Sequence, residues 1–87
     1  MKHDDYRVIK DIITLSDYFD SKGDLWSKEV RFVSWDRKTP VIDIRYWNGD
    51  EYTDGIELTQ NELKRFFKGV GKWIKDERTR RDENKKA

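Results

Sequence analysis

Eighty-seven residues accommodate one small domain with a thin core, and no second domain fits. Charged residues make up 43% of the chain, but 19 basic and 18 acidic groups nearly cancel, which excludes both a one-signed disordered tail and a global field for polyanions. The lack of cysteine excludes disulfides and thiolate metal sites, and no apolar run approaches the roughly 20 residues that span a bilayer. Leu, Ile, Val and Phe together number 20, so the core of a single copy should be marginal and should gain from burial against a second. With no secretory apolar region read at either end, the expected location is the cytoplasm, nucleoid-associated if the source is bacterial.

Residues 1–6 read as a flexible polar arm, in which His3 is a solvated side chain. "RVIKDIITL" (7–15) is rich in β-branched residues and reads as a strand with Ile9, Ile13 and Leu15 on one face. "SDYFDSKGD" (16–24) is loop chemistry, with Gly23 suited to a positive φ. A second strand runs from about Trp26 to Trp35, placing Val30 and Phe32 on one face and Arg31, Val33 and Trp35 on the other. "DRKT" (36–39) turns the chain into a third strand, Val41 to Trp47, where Ile42, Ile44 and Tyr46 alternate with Val41, Asp43, Arg45 and Trp47. "NGDEYTD" (48–54) opens with an Asn-Gly turn signal, and "GIEL" (55–58) is a short fourth strand.

A helix follows over 59–79. Thr59 and Glu62 form the capping box T-x-x-E, in which each side chain satisfies an orphan N–H of the first turn. Leu63, Phe66, Phe67, Val70, Trp73 and Ile74 then recur at helical spacing. Gly69 and Gly71 each weaken the middle by about 1 kcal/mol relative to Ala, so a bend is expected there. Pairs such as Asp76–Arg80 and Glu77–Arg81 extend the helix into a charged tail over 80–87. The fold class is α+β: an antiparallel sheet of four to five strands over 7–58, then one long, kinked C-terminal helix. The apolar stripe is broader than one thin sheet covers, which points to a homodimer paired through the helices.

If Val30, Phe32, Ile42 and Ile44 turn toward the helix, the opposite face carries Arg31, Trp35, Arg45 and Trp47, with Arg37 and Lys38 at the turn. Single-stranded nucleic acid calls for this mixture, because its bases expose flat apolar faces and its phosphates attract Arg and Lys. The other reading makes Trp35 and Trp47 ordinary half-buried strand residues. Both stay open at this point. Trp73 belongs to the helix stripe, and Trp26 shares the parity of the core face.

The order of "RFVSW", "IDIRYW" and the "GIELT" step into an amphipathic helix resembles the C-terminal domain of the transcriptional coactivator positive cofactor four, and its bacterial YdbC-like relatives more closely still. Trp26 with Lys28 is similar to the start of strand two in the bacterial forms. The resemblance implies a twisted sheet, a homodimer paired through the helices, and single-stranded DNA bound without sequence preference in transcription, replication or repair. Carried over by position, it implies nucleic-acid contacts from Arg31, Arg37, Lys38, Arg45 and Trp47; with Trp35, and with Trp26 and Lys28 if the strand bends or bulges at its start, these are the expected nucleic-acid-binding residues. Two departures stand out: the turn at 36–39 has no aromatic residue, and the loop before Gly55 is acidic (Asp50, Glu51, Asp54).

The same face would suit single-stranded RNA, since stacking does not distinguish the sugars. It would also suit a protein partner, for which aromatic and Arg residues are favoured anchors. Catalysis, a metal and a cofactor are not expected: there is no paired histidine, no phosphate-binding glycine loop, and no metal-ligand spacing among Asp43, Asp50 and Asp54. Asp43 is expected to orient Arg31 and Arg45.

Overall fold

A computed structural model describes the backbone over residues 5–86 and the side chains as far as Arg80. His3, most of the expected arm, and the Arg81 side chain lie outside the described residues. Five strands precede one helix: β1 (Tyr6–Phe19), β2 (Leu25–Trp35), β3 (Val41–Asn48), β4 (Glu51–Tyr52), β5 (Ile56–Leu58) and α1 (Gln60–Lys86). β1, β2 and β3 lie side by side, and β4 and β5 both pair with β3, every pairing being antiparallel. The α+β class, with an open antiparallel sheet and one C-terminal helix, is therefore as the sequence suggests.

β1 differs most from expectation. It takes in Tyr6, placed in the arm, and Ser16 to Phe19, placed in a loop. Its 14 residues face 11 on β2, and the surplus is absorbed by three register shifts that leave Ile9, Ile12 and Leu15 without partners. Each extra residue resets the side-chain alternation. Ile9, Ile13 and Leu15 therefore do not form one inward stripe: Ile13 pairs with Val30, while the other two sit at bulges and are 43% and 52% exposed.

Bulges bend a strand and increase its twist, and the sheet is correspondingly curled. Ser27, Arg31, Val33 and Trp35 share a face with Val41, Asp43, Arg45 and Trp47, because directly opposed residues point the same way. Trp47 pairs with Ser27, eight positions from Trp35, a distance of about 26 Å along an extended strand. Yet the two indoles stack with centroids 6.1 Å apart and planes 10° apart. Only a sheet folded over this face brings them together, so it is the concave one. Val33, Trp35 and Trp47 form the buried core there, with Tyr6, Val8, Val41 and Tyr52 packed around them.

The convex face meets the helix only at its start. Leu63 and Lys64 approach Phe32 and Ile42 beside Ile12, leaving an apolar groove of about 330 Å³. The capping box forms as expected: the Thr59 N–H donates to Glu62 Oε1 at 2.8 Å, and the Glu62 N–H to Thr59 Oγ1 at 3.1 Å. Gly69 and Gly71 do not interrupt α1, which continues past the expected end at 79 for about 40 Å in all. Arg80 pairs with Glu77 rather than with Asp76. Beyond Leu63, the stripe residues Phe66, Phe67, Val70, Trp73 and Ile74 are all exposed.

Such a chain is open for its size. Its radius of gyration is 16.9 Å, against about 12 Å for a globule of this length. It exposes 7425 Å², against about 5,500 Å² for a folded monomer of 10.6 kDa. Among the described residues, no helix is long and apolar enough to cross a membrane.

Candidate nucleic-acid interface

The concave face is built in layers of cation on ring. The Arg31 guanidinium lies 4.7 Å from the Trp47 ring centre, and that of Arg45 lies 4.6 Å from Trp35. Tyr6 closes the cluster, its ring 5.2 Å from Trp47, 5.5 Å from Trp35 and 5.8 Å from Tyr52. The sequence placed Arg31, Trp35, Arg45 and Trp47 on one face, and they share it. It placed them on an open platform, and there the structure differs: Trp35 and Trp47 are 3% exposed and Arg45 is 6%. The curl of the sheet, with Tyr6 and Tyr52 over the rings, accounts for the difference.

Beneath the rings, Asp43 is fully buried. It accepts from Arg45 Nε at 2.7 Å and lies 2.6 Å from Nη2, which also reaches Glu57 Oε2 at 3.1 Å. Arg45 Nη1 donates to the Thr53 carbonyl at 3.3 Å, so one guanidinium ties β3 to the segment leading into β5. Burial pushes the Asp43 carboxyl above the usual carboxylate range, outweighing the opposing pull of Arg45. Asp43 thus orients Arg45 as expected, but Arg31 turns instead to Asp11 at 2.8 Å. Gly55 is required by this packing, since a Cβ there would fall 2.4 Å from the Ile44 carbonyl oxygen and 2.5 Å from Arg45 Cβ.

Further along the concave face, carboxylates are matched by neighbours. Glu29 accepts from Thr14 at 2.7 and 2.8 Å, and Asp17 from Ser27 at 2.6 Å. Exposed positive charge gathers at the other end, on the β2–β3 turn. There the Lys38 N–H donates to the Trp35 carbonyl at 2.9 Å around two residues of left-handed backbone, Asp36 (φ 51°) and Arg37 (φ 63°). Two positive φ values define a type I′ turn, which favours Asn-Gly; an arginine there costs roughly 1–2 kcal/mol. The turn is held by Ser34 Oγ donating to the Lys38 carbonyl at 2.7 Å, and by reciprocal bonds to Asp5 of 2.9 and 3.0 Å. It projects Arg37 into solvent, its side chain 92% exposed, over a cleft of about 570 Å³ lined by Tyr6, Arg7, Ser34, Lys38 and Pro40.

Trp26 and Lys28, expected among the nucleic-acid contacts if the strand bends at its start, instead lie apart from this cluster. Their parity puts them on the convex face, where Trp26 pairs with Tyr18 and Lys28 with Tyr46. Trp26 Nε1 donates to Asp20 Oδ2 at 2.9 Å, and Lys28 Nζ sits 5.0 Å from the Tyr46 ring centre. The bond from Trp26, with backbone N–H groups of the loop, holds the Asp20 carboxyl below its usual range. Tyr6 and Tyr52 are the residues that sequence reasoning missed. Tyr6 was hidden by the polar run before it, although a tyrosine ahead of a β-branched run is a strand signal.

The chain matches no family model and no curated protein.

Proposed function

We infer that this chain is a homodimeric, sequence-nonspecific single-stranded DNA-binding module of the positive cofactor four type, close to its YdbC-like branch. It acts in the cytoplasm or nucleoid as a coactivator-like factor in transcription or as an accessory factor in replication or repair. The observation that carries the reading is the junction of an aromatic cluster with a basic turn. Trp35, stacked on Trp47, ends the strand that runs directly into the turn bearing Arg37 and Lys38, and its carbonyl accepts from the Lys38 N–H. Rings to stack on and cations for phosphate thus occur within one nucleotide's reach, as single strands require. The strand would cross the turn end, because further along the concave face carboxylates line the way. Dimerisation is supported by the excess exposed surface, about 1,900 Å² per chain, which is in the range of an obligate interface.

Titration of matched single-stranded DNA, single-stranded RNA and duplex DNA at two salt concentrations tests the reading. The expected result is tighter binding of single strands than duplex, steeply weakened by salt. Equal or better duplex binding removes the stacking component. A preference for RNA makes the module an RNA binder, and no nucleic-acid binding at low salt leaves the aromatic face to a protein partner.

A further inference from the structure

We propose that Asp5 and Tyr6 are a built-in competitor for the site, occupying it as one nucleotide would; this rests on the single-strand reading above. The Tyr6 ring covers Trp35 and Trp47 with centroids 5.5 and 5.2 Å away, tilted 49° and 55° to them, and so takes up the space an unstacked base would need to reach the indoles. The neighbouring Asp5 carboxylate sits 3.8 Å from Arg37 Nε, where a phosphate would lie. Ring and anion on adjacent residues reproduce the base and phosphate of a nucleotide unit. Binding of a single strand therefore displaces this segment.

Three features make the displacement feasible. The paired run Tyr6–Val8 is only three residues long before the first register shift at Ile9, so it can detach while the rest of β1 stays paired. The fastenings of Tyr6 and Asp5 are exposed: Tyr6 Oη donates to Asp50 Oδ1 at 3.1 Å, and Asp5 shares its two bonds with Asp36. Finally, Trp47 Nε1 is buried and meets no acceptor among the described residues. A buried donor left unmatched disfavours the closed arrangement, and a base or sugar oxygen could match it.

The test uses the full chain and an oligothymidine, with Tyr6→Ala, Asp5→Asn and Asp50→Asn; Asp5→Asn removes the charge facing Arg37 and Asp50→Asn weakens the acceptor for Tyr6 Oη, while every ring and the backbone bonds to Asp36 stay in place. If the open form is a tenth to a fifth of the population, complete opening sets a ceiling of about five- to tenfold tighter binding, which Tyr6→Ala should approach, while the loss of one exposed contact in Asp5→Asn or Asp50→Asn should tighten binding about two- to fourfold. Acrylamide quenching of tryptophan emission should rise in the unliganded variants and fall again when oligothymidine binds. Parent binding with no tightening in Asp5→Asn and Asp50→Asn overturns the competitor and leaves the single-strand reading intact. Unchanged quenching in those variants also overturns it, without reference to DNA. Absence of binding by parent and variants alike removes the single-strand reading, and this proposal with it. Should Tyr6→Ala fail to fold, the two carboxylate variants decide.

Discussion

Trp35 and Trp47 stack across the concave face at 6.1 Å, although the partner of Trp47 on the neighbouring strand is Ser27. Their contact is thus a product of tertiary curvature. It makes the two indoles the centre of the core in a sheet that has little else to bury, and it ties any role in stacking to a change in what covers them.

Trp47→Ala should cost about 3–5 kcal/mol of stability, the usual consequence of removing a buried indole. Thermal and urea melts measure it. A melt shifted by less than about 1 kcal/mol would show that the ring is not part of the core.

Asp43 gives stability a pH dependence of defined sign. Its folded-state pKa is raised, so its contribution is full below the unfolded value and is lost as pH rises through the folded one. The melting-temperature gap between the parent and Asp43→Asn should therefore narrow as pH climbs from the ordinary carboxylate range, about 3.9, through the raised value. Asp20 works in the opposite direction: its lowered pKa gives stability that is present above the unfolded value and lost as pH falls through the folded one. A gap for Asp43→Asn that widens with pH would contradict the assignment.

Gly55→Ala should destabilise by about 1–3 kcal/mol, because its methyl group would press on the Ile44 carbonyl and the base of Arg45. Chemical denaturation checks this, with Gly69→Ala, which meets nothing within 4 Å, as the tolerant comparison.

The helix stripe should pair two copies. Phe67 is 77% exposed and Trp73 63% in the single chain, so a charge at either position is harmless to a monomer and harmful only where the face is covered. Light scattering should give a dimer for the parent, and monomer or insoluble protein for Phe67→Glu and Trp73→Glu. A parent that stays monomeric at high concentration refutes the pairing.

Arg37→Gly should have opposite effects on folding and binding. Glycine relieves the left-handed backbone, adding about 1 kcal/mol of stability. Loss of the side chain should weaken single-strand binding and make the slope of log K against log salt shallower by roughly 0.7, the value of one phosphate contact. An unaltered slope would show that Arg37 does not meet phosphate.

Much of the fold was legible because local rules were obeyed. Thr59 and Glu62 announced the helix start, and the alternation from Val30 to Trp35 and from Val41 to Trp47 gave two strands and their faces. The faces and extent of β1 were misread because alternation is the signal that assigns them, and Ile9, Ile12 and Leu15 each break it. The grouping of Arg31, Trp35, Arg45 and Trp47 followed from parity alone. Their burial did not, since it depends on the curl and on Tyr6 arriving from a distant part of the chain. Trp26 and Lys28 fall on the other face, as parity required of Trp26.

The three interruptions of β1 also bear on how the protein survives in a crowded solution. β1 is an outer strand of the sheet and carries exposed isoleucines, a combination that ordinarily invites other chains to add on. Stacked fibrillar assemblies grow from uninterrupted stretches of six or seven residues. Along β1 no regularly paired stretch exceeds four, from Ser16 to Phe19. An incoming strand would lose register every few residues, so the irregularity that shapes the concave face also guards the margin of the sheet against self-templating.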